Sequence, residues 1–263
     1  MIKLLILQIL AHFISDFYLQ TEKSCQDKME NGFKSLQLYL HVAITFLCSW
    51  LFSFLYPFTM SFWWAALIIA LTHGILDGLK SVFKKVPWIF FIDQALHLVV
   101  IFVVVICFEK TVYYHIPFGY ENVMTFFNRI SMPTLLWFTA FTFCLRPANL
   151  FVREILENAH IKLPQANEAA QYEPEVAGDE RVEDRVCVSN ADRVIALVER
   201  VLILVFMLIG HFEVIGFLLL AKALVRFKDA TTDKSEYALV GTLLSFSMAI
   251  VAGALVLCLL NIV

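Results

Sequence analysis

The stretch WIFFIDQALHLVVIFVVVICF, residues 88–108, decides the fold. From Leu98 to Phe108 every residue is apolar, and the whole segment is long enough to cross a hydrocarbon layer about 30 Å thick as a helix. The apolar run does not alternate with polar residues, so it does not read as a strand of a lipid-facing barrel. Its first turns nevertheless hold Asp93, Gln94 and His97. An ionisable side chain inside such a helix is costly and must face a partner, a cavity or a metal. The segment therefore predicts two things together: a membrane helix, and chemistry at one end of it.

The same reading extends along the chain. Apolar blocks predict eight spans, at about 1–20, 36–56, 62–79, 88–108, 133–153, 193–210, 213–227 and 237–262. The seventh is short, which leaves a re-entrant hairpin open for that pair. Composition agrees, with 60% hydrophobic residues, 25 Phe and only 16% charged residues, against about 25% charged in a typical soluble domain. The predicted fold is an all-α, polytopic transmembrane helix bundle. The first span carries His12 and Asp16 and lacks a small-residue cleavage site, so it reads as a retained helix rather than a signal peptide. The six cysteines form no C-x-x-C pair, which argues against a disulfide framework or a thiolate zinc site. A net charge of −3 gives no case for nucleic-acid binding.

Lysine and arginine set the expected orientation. The stretches 21–35, 80–87, 153–193 and 226–236 hold 14 of them, whereas the intervening loops and the termini hold three. The positive-inside rule then places the basic loops in the cytoplasm and both termini outside. Between Glu157 and Asp192 the chain turns polar and acidic, too poor in apolar side chains to fold alone. The predicted organisation is a five-helix unit over 1–156, a flexible cytoplasmic linker over 157–192 and a three-helix unit over 193–263. In the last unit, Glu199 is expected to pair with Lys222 or Arg226.

Polar residues are not scattered through the spans. His12 and Asp16, His73 and Asp77, and Asp93 and His97 are each four apart, so each pair shares one helical face. His41 lies in the first turns of the second span. Alternating helix directions bring all seven to the cytoplasmic half, while the opposite halves hold little beyond Ser49 and Ser53. Imidazole and carboxylate together suit zinc or manganese, and carboxylate-rich sets suit magnesium or manganese. His12, His73, His97 and His41 are thus candidate ligands of a divalent metal. Asp16, Asp77 and Asp93 are candidate ligands, orienting partners or general bases. Lys80, Gln94 and Arg146 are candidate substrate contacts, although Lys80 also sets topology and Arg146 also reads as a snorkelling side chain. Gly74 and Gly78 form a G-x-x-x-G, which most often marks close helix packing. The plainer alternative is a metal-free set of His–Asp hydrogen bonds tying helices together.

The ordered strings AHFISDFYLQ, then His41, then HGILDGLK, then DQALH resemble a prokaryotic membrane family filed as domain of unknown function 3307, over about residues 1–110. The resemblance implies a multi-pass protein of the prokaryotic inner membrane and leaves the activity open. The His/Asp arrangement is also loosely similar to inner-membrane proteins called metal-dependent hydrolases. The expected function is a metal-dependent hydrolase or phosphoryl-group enzyme acting on a membrane lipid or another membrane-proximal substrate. The alternative is a non-enzymatic component, either an ion-coupled transporter or a membrane sensor. Membrane lipid is the expected partner, and association with a second copy is open.

Overall fold

The structure is a computed structural model that describes residues 2–56, 62–83, 86–111, 130–159, 190–228 and 232–262. It is all-α, with no strand among the described residues. Helix α1 (Ile2–Phe13) runs on into a π-helical turn, Ile14–Tyr18, closed by the Leu19 amide on the Ile14 carbonyl at 3.0 Å. There follow α2 (Glu22–Asn31), α3 (Leu36–Ser53), α4 (Trp63–Val82), α5 (Ile89–Thr111), α6 (Met132–Leu145), α7 (Pro147–Asn158), α8 (Asn190–Ile209), α9 (Phe212–Lys228) and α10 (Thr232–Ile262).

Within the described residues, α3, α4, α5 and the Val240–Asn261 part of α10 are each long and apolar enough to cross a membrane. Two further pairs, α1 with α2 and α6 with α7, meet that standard only if each is taken as one bent span. This gives four to six candidate spans among the described residues, beside the eight expected. Helices α8 and α9 do form over the sixth and seventh predicted stretches but do not reach the standard themselves. Helix α8 carries Asp192, Arg193, Glu199 and Arg200, and α9, at 17 residues, is too short.

The chain forms two compact units, Met1–Pro147 with Ala254–Val263, and Ala148–Gly253. The first break falls at Pro147, ahead of the expected boundary at 156. Pro147 has no amide hydrogen, and α6 ends just before it. Most of the predicted linker, 160–189, lies outside the described residues, as do Lys84, Lys85 and His115.

In the first unit, α1, α3, α4 and α5 pack in a closed ring, α1 on α3, α3 on α4, α4 on α5 and α5 back on α1, with α6 against the outside of α1. Neighbours in the ring are antiparallel. One end is apolar. Leu4, Phe62, Ala65, Ala66, Ile69, Ile101, Val105 and Phe108 are buried together there, and the Phe62 and Phe108 rings meet edge to face at 4.8 Å. The outward faces are apolar as well, with Leu71 and Ile75 of α4 and Val99, Phe102 and Val103 of α5 exposed. So much contiguous apolar surface is what a lipid environment would cover.

The G-x-x-x-G of α4 is a packing site. A Cβ on Gly74 would collide with the Val42 side chain of α3, and one on Gly78 with the Phe33 ring. Only glycine lets the two helices approach this closely.

The segment 21–35, expected as a loop, is helical over most of its length. Thr21 caps α2 by accepting the Ser24 amide at 3.2 Å, and Gly32 stops it at φ 52°. Glu22 in the first turn and Lys28 in the last suit the helix dipole. Helix α2 turns 89° from α1 and lies against α3 and α4. Asp27 accepts the Ser35 hydroxyl, while Ser35 itself caps α3 through the Leu38 amide. These contacts close the polar end of the ring.

In the second unit, Lys222 and Glu199 form the expected ion pair; the Arg226 side chain lies outside the described residues. Arg200, fully buried beside that pair, donates to Ser245 at 3.0 Å and to Asn149 at 2.5 Å.

Candidate metal centre

At the polar end of the ring the three helical pairs and His41 come together as one buried cluster. His12, His41, His73, His97, Asp77, Asp93 and Gln94 are all buried. The imidazole rings crowd one another. His73 and His97 stack at 4.0 Å, His41 lies 5.0 Å from His73, and His12 lies 5.5 Å from His73 and 5.4 Å from His97.

The tightest convergence centres on Asp16, which projects from the π-helical turn. Wide turns of this kind recur at functional sites because they displace one residue from regular register. Asp16 Oδ1 is 3.3 Å from His41 Nε2 and 3.3 Å from His73 Nε2, and those two nitrogens are 2.9 Å apart. A point about 0.9 Å out of that triangle's plane lies about 2.0–2.1 Å from all three atoms, the bond length of zinc to imidazole or carboxylate. Asp77 Oδ2, 3.8 Å from both imidazole nitrogens, stands beside the triangle as a fourth donor.

Two hydrogen bonds hold Asp16 and His12 in place. The Ser15 hydroxyl contacts Asp16 Oδ1 at 2.9 Å and the His12 carbonyl at 3.0 Å. His12 Nε2 lies 3.3 Å from Gln94 Oε1; with the proton on Nε2, Nδ1 keeps a lone pair. That lone pair faces Asp16 Oδ1 at 3.5 Å and has no hydrogen-bond partner. Two acceptors facing each other in a buried site are unfavourable unless a cation or proton sits between them.

The other two carboxylates are paired with lysines. Lys28, only 7% exposed, reaches from α2 to Asp77, and Lys80 donates to Asp93 at 2.8 Å. His97 Nε2 stands 3.3 Å from Asp93 and 3.6 Å from Asp77. With the imidazoles neutral, as metal ligation requires, three ionised carboxylates outnumber the two ammoniums by one. An uncompensated charge in an apolar interior is strongly disfavoured, and a proton on one imidazole or a bound cation would offset it.

Toward the apolar end the cluster grades into a small cavity lined by Gln8, His12, Thr45, Ser49, His73 and His97 among others. Gln8 and Ser49 bond each other twice, Gln8 Nε2 to the Ser49 carbonyl at 3.0 Å and the Ser49 hydroxyl to Gln8 Oε1 at 2.5 Å. Beyond them the apolar cluster begins.

The structure thus brings together all seven His and Asp candidates. His41, set apart from the helical pairs in the sequence, joins them through Asp16, His73 and Asp77. Of the candidate substrate contacts, Lys80 is bound to Asp93 and Gln94 to His12. Arg146 is placed differently. It donates to the Phe17 carbonyl at 3.2 Å and lies over the Tyr18 ring at 5.5 Å, where it braces the π-helical turn behind Asp16.

The sequence reading missed Lys28. Its signal was local: a Thr21 cap and a Gly32 stop frame a short helix whose last turn carries Lys28. In the expected loop there was no reason to aim that side chain inward.

Residues 4–123 match the family described as Protein of unknown function (DUF3307). Over that region the chain is similar to this family. The matched region takes in the helices that contribute ligands and lysines to the cluster, α1 to α5. Comparison with curated proteins and with solved structures finds no match.

Proposed function

We propose that this protein is a metal-dependent membrane enzyme, a hydrolase or phosphoryl-group enzyme whose centre lies toward one membrane face. The observation that carries the proposal is the triangle of Asp16 Oδ1, His41 Nε2 and His73 Nε2, with edges of 2.9–3.3 Å and Asp77 beside it. Three neutral or anionic donors so close together, with no ammonium on Asp16, form the donor set of a zinc or manganese ion. Such an ion would polarise a phosphoryl or acyl oxygen or lower the pKa of a bound water. The protein's own groups supply the rest: Asp93 or Asp77 to accept a proton, and Lys80 and Lys28 to attract an anionic headgroup. By the positive-inside rule this face is the cytoplasmic one of a prokaryotic inner membrane, and the substrate is a lipid or a membrane-proximal molecule.

The apolar cluster around Phe62 and Phe108 favours an enzyme over an ion-coupled transporter. Transport needs access to the site from both sides, and these buried side chains fill the opposite end of the ring. A metal-free network is the second reading, favoured by the Lys28–Asp77 and Lys80–Asp93 pairs.

The test is elemental analysis of the detergent-purified protein, coupled to hydrolysis of p-nitrophenyl phosphate and of a headgroup-labelled phospholipid. The expected result is at least one transition metal per chain, with any hydrolysis abolished by chelation and by Asp16→Asn. Protein without stoichiometric metal, whose melting temperature does not respond to added zinc or manganese, would leave the metal-free network as the reading.

A further inference from the structure

We infer that the cluster is built for two cations, with Asp77 bridging them, and that the second cation enters together with an anion of the phosphate class. This rests on the metal reading above and extends it.

The two oxygens of Asp77 face different partners. Oδ2 faces His41 and His73, each at 3.8 Å, whereas Oδ1 faces His97 at 3.6 Å. His97 Nε2 also lies 3.3 Å from Asp93 Oδ1. Asp77, Asp93 and His97 thus form a second set of converging donor atoms next to the first, all within 4.8 Å of one another. A further observation points to a ligand there: His97 Nε2 is buried, in a residue only 2% exposed, and close as these two carboxylates stand, it makes no well-aligned hydrogen bond to either. The stacking of His73 on His97 sets the two donor groups side by side. A carboxylate that serves a different imidazole set with each oxygen suits a pair of ions about 3.5–4 Å apart, the spacing of two-metal centres that act on phosphate esters.

Charge decides the order of binding. With its imidazoles neutral as ligands, the cluster has one negative charge in excess, so a first divalent cation leaves one positive charge and a second leaves three. Three uncompensated positive charges in a buried site are prohibitive. A phosphate dianion and a hydroxide would neutralise them. Lys80 holds Asp93 in the meantime and competes for the second position.

The experiment uses the full-length protein in detergent, stripped with a chelator and titrated with manganese, with and without inorganic phosphate. Bound metal is read by equilibrium dialysis, and coupling between ions by electron paramagnetic resonance. The wild type is expected to bind one manganese alone and two with phosphate, with an exchange-coupled signal appearing only then. His97→Ala and Asp93→Asn should keep the first ion and weaken the second at least about ten-fold. Lys80→Met should strengthen the second by a similar factor, a gain that loss of folding does not produce. Saturation at one ion with phosphate present, or two ions retained in both His97→Ala and Asp93→Asn, would overturn the inference and leave the single-metal enzyme standing. No bound ion under either condition would overturn both.

Discussion

Replacing His73 with alanine removes the side chain with the widest reach in the cluster. His73 Nε2 is 2.9 Å from His41 Nε2 and 3.3 Å from Asp16 Oδ1, and its ring stacks on His97. The magnitude follows from linkage. A ligand at 100 times its dissociation constant stabilises the folded state by about 2.7 kcal/mol. For a chain of this size that corresponds to a melting shift of about 5–10 °C. If losing one direct donor weakens binding about 100-fold, the same metal concentration only equals the new dissociation constant. The stabilisation then falls to about 0.4 kcal/mol, a shift of about 1 °C. The assay is a thermal melt of stripped wild type, His73→Ala and His211→Ala, each with and without zinc or manganese. His211 is exposed in the other unit and serves as the control. Its melting should shift as the wild type does. Equal shifts in wild type and His73→Ala would refute the metal site, as would no shift in the wild type.

Three further outcomes follow from the geometry. Lys28→Met leaves Asp77 without its ammonium, a loss worth about 3–5 kcal/mol when a buried pair is broken; added metal should restore part of that stability, and an unchanged deficit with metal would show that no cation reaches Asp77. Gly74→Ala should destabilise by about 1–3 kcal/mol through its clash with the stiff Val42 side chain, and Val42→Ala should relieve it; a double variant no more stable than Gly74→Ala would count against that helix contact. Cys25 is exposed on α2, so an impermeant thiol reagent should label it only after the membrane is opened, and labelling in intact cells would reverse the orientation of the site.

Much of this protein is legible in the sequence because lipid is an unforgiving solvent. Apolar blocks such as 88–108 have no soluble alternative and must be helices, and helical periodicity alone puts His12 with Asp16, His73 with Asp77 and Asp93 with His97. Helix direction, read from the charges of the loops, puts these pairs at one end. G-x-x-x-G marks a contact for the same reason, since nothing but glycine admits a helix so close.

What remained for the tertiary structure was everything that depends on rotation and on which helix neighbours which. The sequence could not aim His41 at Asp16 and His73, because a lone histidine has no partner on its own helix to give it a direction. Nor could it aim Lys28 inward: α2 is polar throughout, so its orientation comes from the Thr21 and Gly32 stops and from packing across α3 and α4. Arg146 was drawn instead to a backbone carbonyl of the π-helical turn, a geometry that periodicity assuming regular helix does not contain. The span count depends on the finished helices for a related reason. Hydropathy finds apolar runs, but length, bends and charge on the finished helices decide which of them can cross a membrane.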